Sequence, residues 1–187
     1  TATIELEVLA PVTELVLNAL DLEIDSAALV DNPAAPLALT PRLDPGRQTL
    51  TLPVTLAPGR HTLALSFRGR IGTQAEGFFV DKYPTPSGDK LMLGTQMEPT
   101  DARRVFPCWD EPAFRATFEL RAVIPEKWTA MFNMPQARER PVPGKKGLKE
   151  VRFDRTPAMP VYLFVFAAGE FEALEDEVDG VKLRILT

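Results

Sequence analysis

Apolar residues recur at every second position over much of this chain. Leu50, Leu52, Val54 and Leu56 alternate with Thr49, Thr51 and Thr55, and after Pro58-Gly59 the pattern resumes with Leu63, Leu65 and Phe67. A spacing of two places successive apolar side chains on one face of an extended strand. With a Pro-Gly turn between the two runs, this stretch predicts a hairpin. The longest run, Phe114, Ala116, Phe118, Leu120, Ala122 and Ile124, predicts a strand ended by Pro125. Further strands are predicted at Thr3–Leu9, Glu14–Leu17, Asp21–Ile24, Leu148–Phe153, Val161–Ala167 and Val181–Leu186. Pro143-Gly144-Lys145-Lys146-Gly147 and Val178-Asp179-Gly180 read as turns between some of them. No long window keeps a helical period, and 18 prolines break up helices. Short strands separated by turn signals imply one all-β domain over residues 1–187, built as an antiparallel sandwich or a curved sheet.

Composition narrows the classes of function. Of the 187 residues 45% are hydrophobic, enough to build a core. The net charge is −5 and no basic cluster offsets it, Lys145-Lys146 being only a pair, which argues against nucleic acid as a partner. The longest apolar run, Val161 to Ala168, is far short of the ~20 residues of a membrane span, so none is expected in this segment. Residue 1 is Thr, and both ends fall in strand-like patterns, so the chain reads as a segment of a longer protein. Nothing in it indicates a compartment.

Several chemistries are excluded by residue type. The single cysteine, Cys108, lies between Pro107 and Trp109 and is best read as a small core residue. A zinc hydrolase site needs three protein ligands, two of them normally histidines, and His61 is the only histidine. On a predicted strand, and without a Gly-x-Ser-x-Gly elbow, His61 is equally a poor triad member. Asp110 and Glu111 are sequence neighbours whose side chains point to opposite faces of an extended segment, which suits no catalytic dyad. Gly144-Lys145-Lys146-Gly147 has neither the spacing nor the following helix of a phosphate loop.

The run from Gly94 to Pro112 (GTQMEPTDARRVFPCWDEP) stands apart. Its dense charges, prolines and aromatics suit neither a plain strand nor an amphipathic helix, and predict an ordered loop whose charges have specific partners. This run resembles a signature of the N-terminal domain of M1 (gluzincin) zinc aminopeptidases. So do Gly77-Phe78-Phe79-Val80-Asp81-Lys82-Tyr83, Phe132-Asn133-Met134-Pro135, and Phe153 to Leu163 followed by Phe166 and Gly169-Glu170-Phe171. Phe132 and Pro160 depart from the family pattern, which has serine at both places.

The resemblance implies an all-β, saddle-shaped or sandwich-like domain that lacks the family's first strands and its whole catalytic domain. It implies zinc in the intact enzyme but no cofactor and no catalytic residue within this segment. The substrate would be a peptide N-terminus, and the missing catalytic domain of the same chain would be the partner. By motif position Glu98 would bind the substrate's free α-amino group, with Gln96 lining the same site. Both lie in an extended stretch before Pro99 and share one face at a spacing of two. The Glu98–Pro99 bond is expected to be cis. Pro99, Asp101, Arg103, Asp110 and Glu111 are expected to shape and pair the loop, with Phe106, Trp109 and Phe114 packed beneath. A non-catalytic β-sandwich scaffold of the same family is the alternative. A relative with added epoxide-hydrolase activity is disfavoured because Glu, not Gln, stands at position 98.

Overall fold

A computed structural model describes residues 1–86 and 88–186. Its first seven strands are β1 (Ala2–Val8), β2 (Val12–Asn18), β3 (Leu22–Leu29), β4 (Leu37–Leu39), β5 (Arg42–Asp44), β6 (Thr49–Leu56) and β7 (Gly59–Gly69). They form two antiparallel sheets in the orders β1-β7-β3-β4 and β2-β6-β5. The register aligns apolar rows across the strands: Ile4, Leu63 and Leu29 in one sheet, Leu15 beside Leu52 and Leu17 beside Leu50 in the other. Both sheets turn these rows into one core, where Leu50, Leu52 and Leu63 are fully buried. Each such leucine contributes about 1.5–3 kcal/mol of burial.

Pro58-Gly59 does not close a hairpin. β6 pairs with β2 and β5, whereas β7 pairs with β1 and β3. The turn therefore carries the chain from one sheet of the sandwich to the other. Alternation reports which face of a strand is buried, and that is the same for a ladder neighbour and for a strand in the facing sheet. β3 also runs beyond the expected Ile24, to Leu29. A bulge between Ile24 and Ser26 shifts the inward parity from Leu22 and Ile24 to Ala27 and Leu29, which hides the second half of the strand from a period-two reading.

A second core follows. Strands β8 (Gly77–Thr85), β9 (Gly88–Gln96), β10 (Arg121–Pro125), β11 (Thr129–Phe132), β12 (Gln136–Pro141), β13 (Leu148–Phe153) and β14 (Phe166–Gly169) make antiparallel sheets in the orders β11-β14-β9-β8 and β10-β13-β12. They enclose Ile124, Ala130, Val151, Phe153, Phe166 and Ala168. Phe164 lies at the centre, edge-on to Phe106, Phe118 and Phe132 with ring centroids 5.4, 5.5 and 5.0 Å away. Strands β15 (Ala173–Val178) and β16 (Val181–Leu186) form a separate hairpin. Its turn residues Asp179 and Gly180 both have positive φ, 51° and 79°, as a two-residue turn requires. The fold is all-β, with helix among the described residues confined to two 3₁₀ turns, Ala102–Arg104 and Val161–Leu163.

The expected strand from Phe114 to Ile124 is regular only at Arg121–Pro125. Residues 114–120 run beside Thr156–Met159, joined by an isolated bridge at Ala116 and Met159 and by bonds between Phe118 and Thr156. Pro157 and Pro160 on the opposing segment have no N–H, so no regular ladder can form there. Phe114 is accordingly half exposed. The strand expected at Val161–Ala167 starts only at Phe166. Before it, the Asn133 side chain donates to the Leu163 carbonyl (2.7 Å) and accepts from Val165 N–H (2.8 Å), occupying groups that a ladder would use.

Candidate functional site

The signature run begins where β9 ends. Phe166 N–H donates to Thr95 Oγ1 (2.9 Å), fixing this end of β9 against β14. Met97 is then buried in the second core at 2% exposure, while its neighbours Gln96 and Glu98 are exposed. Neither of these two side chains has a hydrogen-bond or ion-pair partner among the described residues. The alternation at 96, 97 and 98 puts an amide and a carboxylate on one solvent-facing side, with a buried methionine as their anchor. The Glu98–Pro99 peptide bond is cis, as the resemblance led one to expect.

The chain next turns back on itself. Asp101 N–H donates to the Met97 carbonyl (2.9 Å), and the 3₁₀ turn buries Ala102 completely. Arg103 Nε donates to Asp110 Oδ2 at 2.9 Å, with side-chain exposures of 13% and 2%. The same guanidinium reaches Gln48 Oε1 through Nη1 (3.0 Å), and the Arg103 carbonyl accepts from Leu20 N–H (2.9 Å). Arg104 is held between Asp101 (2.9 Å) and Asp21 (2.6 Å). Gly77, at φ 62°, lies directly against it; a Cβ there would meet Arg104 Cβ at 2.9 Å and the Asp101 carbonyl at 3.3 Å.

Asn18 completes the frame. Its main chain exchanges both hydrogen bonds with Cys108 (2.7 and 3.1 Å), and its side-chain Oδ1 accepts from Asp110 N–H (3.0 Å). Cys108 packs in the second core and Trp109 against the first, so the run forms the seam between the two. Burial, reinforced by the negative charge of Asp110, pushes the Cys108 thiol far above its ordinary range and keeps it protonated. Of the aromatics expected beneath the loop, Phe106 packs in the second core. Phe114 lies against Trp109 in a tilted ring contact with centroids 6.1 Å apart but stays half exposed. Glu111 is exposed without a side-chain partner among the described residues; only its carbonyl is used, accepting from Phe114 N–H (3.1 Å). His61, on β7, has Asp31 and the Ala57 carbonyl as its partners and takes no part in this frame.

Asn18, Asp21 and Gln48 are the members that no sequence pattern indicated. Asp21 and Gln48 both adopt φ 56°, uncommon for residues other than glycine. Nothing in the one-dimensional pattern marks them, because their significance comes from being brought to the seam.

These features define a two-core β-sandwich protein with a rigid, charge-stitched loop that presents two unpaired polar side chains at its surface. The chain belongs to the M1 peptidase family: it matches the family model of the peptidase M1 N-terminal domain over residues 1–163. It is 37% identical to an aminopeptidase N of Acetobacter pasteurianus over 186 residues, covering 98% of this chain and 51% of that protein. It is also 37% identical to aminopeptidase M1-C of Oryza sativa subsp. japonica over its whole length, which is 21% of the rice protein. Against the puromycin-sensitive aminopeptidase of Caenorhabditis elegans the identity is 34%, over 20% of that protein. The chain thus spans between half and a fifth of these relatives. Among the described residues no group of three or more His, Cys, Asp or Glu is placed to hold a metal ion.

Proposed function

We propose that this chain is the N-terminal domain of a zinc-dependent aminopeptidase, and that it anchors the free α-amino group of a peptide through Glu98 and Gln96. The hydrolytic centre, with its zinc, would reside in a catalytic domain of the same polypeptide, and the chain by itself would be inactive. The observation that carries this reading is the pairing of two exposed, unpartnered polar side chains with a loop tied down beneath them by the Arg103–Asp110 and Arg104–Asp101 ion pairs and by the buried Met97. An anchor has to be free to bind and unable to move. Pro99, Asp101, Arg103 and Asp110 supply the second property in this reading, and Glu111 contributes only through its backbone.

The chemistry suits the role. A peptide α-amine has an ordinary pKa of about 7.7–8.0 and is largely cationic at neutral pH. A carboxylate offers it a charge-assisted hydrogen bond, about twice as strong as a neutral one. Gln96 can donate and accept, which matches an amine or the first carbonyl of a peptide. Holding the N-terminus at a fixed point selects the first peptide bond for cleavage by position.

The test is made in the intact enzyme, comparing a peptide substrate with its analogue lacking the α-amine. Glu98→Ala should lower kcat/KM for the amine-bearing substrate by about 10- to 100-fold, as loss of a hydrogen bond to a charged group would. It should leave the analogue's slow hydrolysis unchanged. Equal losses on both substrates, or none on either, would remove the proposal.

A further inference from the structure

Strands β10 and β13 bury one face in the second core, the edge strand β12 beside them is exposed along its whole length, and the other face of the three-stranded sheet is turned to solvent. On the solvent face the register sets Arg121, Arg152 and Arg138 side by side as a single row across all three strands. In the adjoining row Val123, Glu150 and Arg140 are aligned in the same way. Like charges directly opposite one another destabilise a sheet, so a solvated face gains nothing from an unbroken arginine row. Glu150 makes the arrangement tolerable. Its Oε1 accepts from Arg140 Nε (3.1 Å) and Nη2 (3.0 Å) and from Arg152 Nε (3.1 Å), and Arg121 Nη1 lies 3.5 Å from Oε2. Burial of Glu150 works against its charge, but the Arg152 hydrogen bond and the charges of Arg140 and Arg121 outweigh it and keep the group ionised.

The outcome is three arginines around one carboxylate, with Arg138 beside them in the row, on a chain whose net charge is −5. Arg121, Arg140 and Arg152 remain about half exposed, at 58%, 45% and 51%. Arg138 is exposed and has no side-chain partner among the described residues. Three guanidiniums are thereby held in place by a carboxylate that satisfies only part of their donor capacity, since each presents five N–H groups. The neighbouring acidic side chain Glu119 is engaged with Arg155.

We propose that this face is a docking site for an acidic polypeptide segment of a partner protein. Its complementary charge is the ground for that choice, and Glu150 already displays how the face receives a carboxylate. Val123, half exposed within the arginine field, offers an apolar contact that a peptide side chain can fill. A nucleic acid or an anionic bilayer would also meet the repulsive field of the rest of this acidic stretch of 187 residues, whereas a short acidic segment meets chiefly the local patch, within a Debye length of ~8–10 Å.

The experiment measures fluorescence anisotropy of a labelled oligoglutamate peptide with the intact protein at low salt, beside anionic phospholipid vesicles. Binding of the peptide that weakens as salt rises supports the site. The paired substitutions Arg138→Gln and Arg152→Gln should weaken it by about tenfold or more, equivalent to about 1.4 kcal/mol. Lys145→Gln with Lys146→Gln, outside the row, should change it little. Arg138→Gln alone, which breaks no observed contact, gives the same reading if the double variant fails to fold. Absence of peptide binding, binding insensitive to the arginine variants, or binding to vesicles in place of the peptide would each overturn the proposal.

Discussion

Asn18 and Cys108 exchange both of their main-chain hydrogen bonds, at 2.7 and 3.1 Å, and by doing so join the first core of the molecule to the second. One residue further on, Trp109 packs against the first core while Cys108 packs in the second. The loop carrying Gln96 and Glu98 thus draws its rigidity from both sides of a seam.

The Arg103–Asp110 pair is the most buried charge contact of that seam. Arg103→Ala would leave the Asp110 carboxylate, 2% exposed, without its guanidinium, and is expected to destabilise the fold by about 3–5 kcal/mol. Denaturant unfolding of this variant beside Glu98→Ala measures the contrast. Glu98→Ala should stay within about 0.5 kcal/mol of the parent, as exposed positions do.

Gly77→Ala should cost about 1–3 kcal/mol. The position combines φ 62° with an approach of 2.9 Å between the added Cβ and Arg104 Cβ, so both backbone strain and displacement of Arg104 contribute. A thermal unfolding midpoint well below that of the parent checks it.

His61 predicts a dependence of stability on pH. Its Nδ1 lies 2.7 Å from Asp31 Oδ2 and its Nε2 lies 3.0 Å from the Ala57 carbonyl, so the doubly protonated ring satisfies both acceptors. The Ala57 carbonyl, and then Asp31, raise its pKa above the ordinary 6.5. Asp31 in turn is held below its ordinary 3.8 by His61 and by the Thr62 N–H. A raised histidine stabilises fully below 6.5, and its contribution is lost as pH rises through the folded-state value. A lowered aspartate stabilises above 3.8 and loses its contribution as pH falls through its own folded-state value. The clamp is therefore strongest in the mildly acidic window between the two. Unfolding free energies should decline from pH 6 toward alkaline pH, and His61→Gln should flatten that slope.

Cys108 should not react with a thiol reagent while the chain is folded. Reactivity belongs to the thiolate, and burial keeps this thiol protonated. Labelling kinetics should follow unfolding, so modification of the native protein at the rate of a free thiol would contradict the burial seen here.

The all-β class, most strand positions and the importance of the Gly94–Pro112 run were legible in the sequence, because each is written locally. Period-two leucines are visible in any window containing them, and a turn such as Val178-Asp179-Gly180 carries its chemistry in three residues. Where the local code was interrupted, the reading failed for definable reasons. The bulge at Asp25 reversed the parity of β3, and Pro157 and Pro160 denied residues 114–120 a regular partner.

Sequence alone thus determined which faces are apolar, that the chain has one histidine and one cysteine to offer to chemistry, and that Gln96 and Glu98 share a face. Tertiary structure decided what those faces meet. It placed β6 and β7 in opposite sheets where the chain suggested a hairpin, and brought Asn18, Asp21 and Gln48 to a loop far from them in sequence. It also gathered Arg121, Arg138, Arg140 and Arg152 into one basic face, although no two of them are adjacent in the linear chain. Alternation is a property of one strand and its two sides. Pairing, register and proximity are properties of two strands, and become fixed only when the sheets assemble.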